Sequence, residues 1–333
     1  MSLESSQTPE SAPFGIRTDL ASFHEGVKHI KAEIGKIMVG QESMINLLLA
    51  ALMSDGHVLL EGVPGVAKTL AAKLLAKTLD VPFSRIQFTP DLMPSDVLGT
   101  SVFSPNTNAF EFHSGPIFSH VVLIDEINRA PAKTQAALFE AMEERQVSID
   151  GNTHRLSPPF FVIATQNPIE QEGTYRLPEA QLDRFLFKVQ VDYPELEEEV
   201  KILADAHLRK NFKDLSQVKA ILNASEISRL QSLIQSVHID EKLMRYIVEV
   251  VQLTRSHKEL YLGASPRASL NLMVSAKAIA AMSGRDFVTP DDISEVVAPV
   301  LNHRIILTPE REMEGVSTEQ VLKRLVNAVE VPR

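Results

Sequence analysis

Eight consecutive residues, Gly62-Val63-Pro64-Gly65-Val66-Ala67-Lys68-Thr69, have the composition of a phosphate cradle. Glycines let backbone N–H groups turn inward around phosphate oxygens at the start of a helix. Lys68 would then reach the β and γ phosphates as a point charge, and the Thr69 hydroxyl would ligate Mg²⁺. Gly62, Pro64, Gly65, Val66, Ala67 and Leu70 are the remaining expected nucleotide contacts. Ala67 stands where the standard pattern has its last glycine, and its methyl group is expected to fit there in helical dihedrals. A ligand-free Pro-Gly turn is the plainer alternative. The short apolar run before the loop, His57 to Leu60, and the helical stripe Leu70, Leu74, Leu75 after it favour the phosphate site.

A second group of residues could act on the same ligand. Val121-Val122-Leu123-Ile124 reads as a buried strand that delivers Asp125 and Glu126 at its C-terminal end, where ligands of α/β sheets bind. Asp125 would hold Mg²⁺, directly or through water, and Glu126 would polarise the attacking water. Alone, an acid pair after a strand is usually a helix cap. Its place 57 positions after Lys68 in the same sheet gives it the catalytic reading. Asn167, at the end of the run Ala164-Thr165-Gln166-Asn167-Pro168, can aim an amide at the same water, although Asn before Pro is also an ordinary turn. Arg184 either pairs with the adjacent Asp183 or reaches a neighbouring subunit to neutralise transition-state charge. Ser265-Pro266-Arg267 opens a helix with a cation where the helix dipole prefers an anion, and a phosphate bound between two domains would remove that conflict.

These residues need a scaffold. Apolar runs at 57–60, 83–88, 121–124, 160–164 and 187–191 alternate with helical segments and predict a mostly parallel, five-stranded α/β sheet. Two stretches break the alternation as β-hairpins, at 99–116 and at 145–157, the second around the strong turn signal Asp150-Gly151. After Tyr193-Pro194 the strand signals fade. The expected division is a tail over 1–16, a nucleotide-binding domain over 17–193 and a smaller all-helical domain over 194–333. Thr289-Pro290-Asp291-Asp292 is the clearest helix start in the last of these, followed by Ile293, Val296, Val297 and Val300 on one face.

Composition narrows the function. With 333 residues, 44% hydrophobic and 23% charged, the chain can fill sizeable cores. Its net charge of −10 argues against nonspecific attraction to nucleic acid or anionic membrane and points to protein partners. It has no cysteine, so disulfides, thiolate metal sites and cysteine nucleophiles are excluded, and a cytoplasmic location is expected. Residues Met1 to Phe14 lack the basic start and apolar stretch of a secretory signal. No apolar run approaches the ~20 residues of a membrane span.

Taken together, Gly-Val-Pro-Gly-Val-Ala-Lys-Thr, Leu-Ile-Asp-Glu-Ile-Asn-Arg-Ala, Ala-Thr-Gln-Asn-Pro and Glu-Ala-Gln-Leu-Asp-Arg-Phe resemble the MoxR family of AAA+ ATPases over nearly the whole chain beyond the tail. Ala67 is usual in that family. The resemblance implies that Val39, Gly40 and Gln41 border the adenine of ATP, that Lys68 and Thr69 are the Walker A pair, and that Asp125 and Glu126 are Walker B. It implies sensor 1 at Asn167, an arginine finger at Arg184 and sensor 2 at Arg267. Arg176 stands where a proline would be looked for before Leu177, which leaves Arg176 and Arg184 as the two candidates for the trans arginine. The hairpins match the two insertions of the clade that includes chelatase and replicative-helicase motors. Also implied are a Mg²⁺-dependent ATPase, a ring that is expected to be hexameric, and chaperone-like remodelling of protein complexes or metal-cofactor insertion beside von Willebrand factor A domain partners. A chelatase motor is the nearest rival, and a DNA motor is disfavoured by the acidic charge.

Overall fold

A computed structural model describes residues 20–168, 175–208 and 215–332, so the expected tail over 1–16 lies outside the described residues. The five apolar runs form β1 (Val58–Glu61), β2 (Phe83–Gln87), β3 (Val121–Asp125), β4 (Phe161–Gln166) and β5 (Phe187–Gln190). All pair in parallel in the order β5-β1-β4-β3-β2. This is the expected α/β sheet, with β1, β3 and β4 central. Every residue of β1 and β3 is buried, as continuous apolar runs covered on both faces require. β2 is an edge strand and keeps Arg85 and Gln87 exposed.

Helices cover both faces. On one side Leu60, Leu123, Ile163 and Phe187 pack against α1 (Ala21–Gly35), α2 (Glu42–Met53) and α3 (Lys68–Thr78). On the other, Leu59, Val122, Ile124 and Val162 pack against α4 (Ala132–Glu144). The C-terminal part contains α5 (Leu196–Leu208), α6 (Ala224–Gln235), α7 (Glu241–Ser256), α8 (Pro266–Met282), α9 (Pro290–Leu301) and α10 (Thr318–Ala328). The start predicted for α9 is present: Thr289 caps it in a box with Asp292, whose carboxylate accepts from the Thr289 N–H at 2.7 Å. The buried α2 touches both β5 and α8, so one apolar core runs without a break from the sheet into the C-terminal helices. Two short strand pairs supplement those helices. Leu222–Asn223 runs parallel to Leu79–Asp80, and Leu260–Leu262 antiparallel to Ile306–Leu307.

Both hairpins are present, as Gly99–Ser104 with Ala109–Ser114 and Gln146–Ile149 with Asn152–Arg155. Asp150 and Gly151 have φ of 51° and 77°, the paired left-handed turn that suits strand twist. The hairpins touch each other, with the Phe112 ring stacked on His154 at 4.0 Å between centroids. Among the described residues, no helix is long and apolar enough to cross a membrane.

Candidate nucleotide site

The loop after β1 closes on a helix, as its glycines suggested. β1 ends at Glu61, the loop turns through Gly65 at φ 92°, and α3 begins at Lys68. A side chain at Gly65 would meet open space rather than protein, so the backbone there faces a free volume. Ala67 requires a correction. It does not take helical dihedrals but sits left-handed at φ 62° and ψ 18° as the residue before α3. The position calls for glycine for this reason, and alanine bears the steric cost of a Cβ in that region. The Lys68 ammonium donates to the carbonyls of Gly62, of Val63 at 3.1 Å and of Gln166 at 3.4 Å. Burial pulls its pKa below the usual lysine value, opposed by Asp125, Glu61 and Glu126. A charge whose hydrogen bonds go to neutral carbonyls in a half-buried pocket can exchange them for an anion.

Thr69, the second residue of α3, donates its hydroxyl to Asp125 Oδ1 at 3.0 Å, so the loop and the end of β3 meet as expected. Thr165 on β4 donates to the same oxygen at 3.2 Å, and Arg85 on β2 holds Oδ2 at 2.7 Å. Neither Thr165 nor Arg85 was anticipated. The signal for Arg85 was two-residue alternation in an edge strand, which puts Arg85 and Gln87 on one face. Glu126 follows in a left-handed conformation, φ 59° and ψ 51°, and its N–H donates to Thr165 Oγ1 at 3.0 Å. Such conformations in residues other than glycine cluster at functional sites. Asn167 is buried one residue beyond β4. Pro64, Gly65, Val66, Ala67, Lys68, Thr69, Leu70, Asp125, Glu126 and Asn167 all line one cavity of about 470 Å³, together with Arg85, Gln87, Thr165 and Gln166.

This geometry has close counterparts. Residues 57–187 match the AAA_3 family, "ATPase family associated with various cellular activities", and residues 252–325 match the AAA lid domain. Chaperone MoxR1 of Mycobacterium tuberculosis is 43% identical over 338 aligned positions, covering 99% of this chain and 88% of that one. The chain belongs to the MoxR family of AAA+ ATPases. Protein YeaC of Bacillus subtilis is 48% identical over 90% of this chain and 92% of its own. A solved structure of a proposed ATPase from Cytophaga hutchinsonii, 44% identical, superposes with a TM-score of 0.86 over 94% of this chain and 97% of that one.

Other residues tied to the MoxR resemblance lie elsewhere. Gly40 and Gln41 are both left-handed, at φ 70° and 59°, where the chain turns into α2. The Gln41 amide donates to Asp192 O at 2.9 Å, and Gln41 lines a separate cavity of about 460 Å³ that also contains Tyr193, Glu198, Pro299 and Asn302. Gly62 lies at the other side of the same chain segment, with Val191 O 2.5 Å from where its Cβ would be. The Val39 to Gln41 segment and the phosphate loop therefore flank the exit of β5.

Arg267 stands at the start of α8, outside the phosphate-loop cavity. It lies against Glu143 at 2.9 Å and Asp183 at 3.3 Å, two carboxylates that offset its charge there. The first cause holding the Glu143 carboxyl below its usual pKa is the Arg267 hydrogen bond. Arg184 shares the same acid, its Nε 2.9 Å from Glu143 Oε2. Arg184 and Arg267 thus line a second cavity of about 250 Å³ with Glu143 and Asp183, and neither is among the residues lining the phosphate-loop cavity. Asp183 is in turn held by the buried Arg304 at 2.6 Å, a residue that the sequence reading passed over. Arg176 is 88% exposed and touches Glu179 at 3.4 Å.

Proposed function

We propose that this chain is a Mg²⁺-dependent ATP hydrolase that works in a ring of copies, each phosphate cavity being completed by Arg184 and Arg267 of the next copy. The observation that carries this reading is the separation of two half-sites. One cavity holds Lys68, Thr69, Asp125, Glu126 and Asn167, while the two arginines share Glu143 in another. Charge developing on a transferred phosphoryl group calls for cations at its outer oxygens. A head-to-tail contact between copies would supply them and close a ring.

The residues fit the ligands. Thr69 Oγ1 and the Asp125 carboxylate, 3.0 Å apart, are hard oxygen donors of the kind Mg²⁺ takes alongside phosphates and water. No cluster of three or more acidic, histidine or cysteine ligands occurs among the described residues, in keeping with a metal held jointly by protein and substrate. Mg²⁺ would neutralise phosphate charge. Lys68 would exchange its carbonyl partners for phosphate oxygens, Glu126 would orient and deprotonate the attacking water, and Asn167 would fix that water from the end of β4. The 39–41 segment would border the adenine, and residues 17–193 and 194–333 would act as the nucleotide and lid domains.

Hydrolysis would move the C-terminal helices and the joined hairpins, transmitting force to a protein client. The name of Chaperone MoxR1 supports this class of work. A hexamer, a von Willebrand factor A domain partner, metal-cofactor insertion and a cytoplasmic setting remain parts of this proposal. The test mixes Arg267→Ala with Lys68→Ala, each expected to be inactive alone. Random assembly in a ring should restore about a quarter of parental ATP turnover, because that share of interfaces pairs an intact loop with an intact arginine. No recovery under assembling conditions would show that Arg267 serves its own chain or none.

A further inference from the structure

Five side chains from four parts of the chain join in one file of alternating charge. The file begins at Arg304, three residues past α9, whose Nε donates to Asp183 Oδ1 at 2.6 Å. The other oxygen of Asp183 accepts from Arg267 Nη1 at 3.3 Å. Arg267 gives its Nη2 to Glu143 Oε1 at 2.9 Å, and Glu143 Oε2 stands 2.9 Å from Arg184 Nε. Arg304 is the buried member, its side chain 2% exposed against 26% to 48% for the other four. That difference decides which link holds the rest, because an ion pair open to solvent is worth less than about 1 kcal/mol and cannot alone keep two long cations in place. Arg304 is fixed by more than its acid, since its guanidinium also donates to the carbonyls of Asp183, Phe185, Leu186 and Val300. The neighbouring His303, also buried, gives Nε2 to Phe185 O at 3.0 Å. The backbone is thus clamped on both sides of Arg184. On the far side α4 receives Arg184 with Glu143 and with the ring of Phe139, one turn earlier and 5.9 Å from the guanidinium carbon.

We propose that Arg304 is a positioning residue for hydrolysis: acting through Asp183, it sets Arg267 and Arg184 side by side so that they meet a phosphate as a pair. The inference rests on the reading of those two arginines as the cations that serve the transferred phosphoryl group. A cation stabilises developing charge most when it need not reorganise at the moment of reaction. Two guanidinium groups left to themselves would repel and spread over many rotamers. Here Glu143 stands between Arg184 and Arg267, and Asp183 between Arg267 and Arg304, so each like-charged pair is bridged by an acid. The rigid end of the file is Arg304 and the exposed end carries the two working cations. Removing the Asp183 charge would therefore misplace those cations while leaving the core that surrounds Arg304 intact.

The test uses Asp183→Asn, which keeps the shape but removes the charge that joins Arg304 to Arg267, on the full chain. Steady-state ATP turnover gives kcat and KM, and calorimetry gives ATP affinity. Asp183→Asn is expected to lower kcat about tenfold with affinity within about twofold, because the phosphate-loop cavity is unchanged. In an Arg267→Ala background it should lower kcat less than twofold, since the group it positions is gone. Arg304→Lys keeps a cation without the planar fork and should follow the same pattern. Parental kcat in Asp183→Asn, an equal fall in both backgrounds, or a fall in affinity as large as the fall in kcat would overturn the positioning role. If Arg304→Lys fails to fold, Asp183→Asn in the two backgrounds decides alone. Mixing sorts the effect by site: Asp183→Asn chains should regain turnover with Lys68→Ala, as Arg267→Ala chains do, and gain none with Arg267→Ala. The reverse pattern would place the effect at the variant's own phosphate loop and sink the proposal. Failure of Arg267→Ala itself to recover with Lys68→Ala would remove the trans reading, an outcome separate from the two-background comparison, which still judges the positioning.

Discussion

Lowering the pH should destabilise this protein through His57, by an amount that can be worked out. The imidazole is fully buried just before β1. Its Nδ1 accepts from the Val162 N–H at 3.1 Å, which leaves the hydrogen on Nε2, 3.4 Å from Met142 O. Burial first, and the nearby Arg145 second, push its pKa from the ordinary 6.5 down to about 3. Between those two values the unfolded chain takes up a proton that the folded chain refuses. Stability is therefore full above pH 6.5, falls as the pH drops below it, and levels off near the folded pKa of about 3. The limiting slope is about 1.4 kcal/mol per pH unit, or roughly 2 kcal/mol between pH 6.5 and pH 5. His303, also buried and shifted well below its usual value by burial, adds a similar slope. His57→Gln keeps an acceptor for Val162 N–H and a donor for Met142 O but cannot titrate. Urea unfolding followed by circular dichroism across this range should give a variant whose stability falls less steeply than the parent's, by about 1 kcal/mol per pH unit. Parallel curves for parent and variant would refute the reasoning, since they would mean that folded His57 already carries the proton.

Two further outcomes test the site and its support. Lys68→Ala should weaken ATP binding by about 10- to 100-fold, the worth of a charge-assisted contact, and calorimetry showing parental affinity would remove the phosphate-loop assignment. Arg304→Ala should cost about 2–3 kcal/mol in urea unfolding. Its guanidinium donates to the carbonyls of Asp183 at 2.9 Å, Phe185 at 2.7 Å and Leu186 at 3.2 Å, and its loss removes these donors and leaves the Asp183 carboxylate with Arg267 alone of the two arginines. A loss below about 1 kcal/mol would mean that water satisfies them.

The cavity was legible in the sequence because its parts are local. A strand, a glycine loop and a helix start each carry their own signature, and two carboxylates at the end of an apolar run need only the sheet to bring them to Lys68. The hairpins were legible from turn chemistry, as at Asp150-Gly151. Ala67 was misread because a left-handed residue other than glycine contradicts local preference, and only the geometry of the whole loop imposes it. The surroundings of Arg267 were hidden for the opposite reason. Its helix start was recognised correctly, but its partners, Glu143 and Asp183, are 124 and 84 positions away and reach it only through the tertiary fold. Arg85 and Gln87 were hidden inside a run read as apolar, where an edge strand presents alternate residues to the ligand.

The helix α4 has a consequence for timing. It starts three residues after the Ile127–Arg129 turn, and near its end Glu143 grips Arg184 and Arg267. Arg145 then leads into the second hairpin. Its 13 residues make a stiff strut about 20 Å long, with the acid pair's neighbourhood at one end and the Glu143-bound arginines and the hairpin at the other. A rigid strut cannot shift at one end alone. In the ring proposed above, firing at one position would tug the cations assigned to the adjacent position and swing the hairpin in the same stroke, so turnover would travel around the circle in sequence.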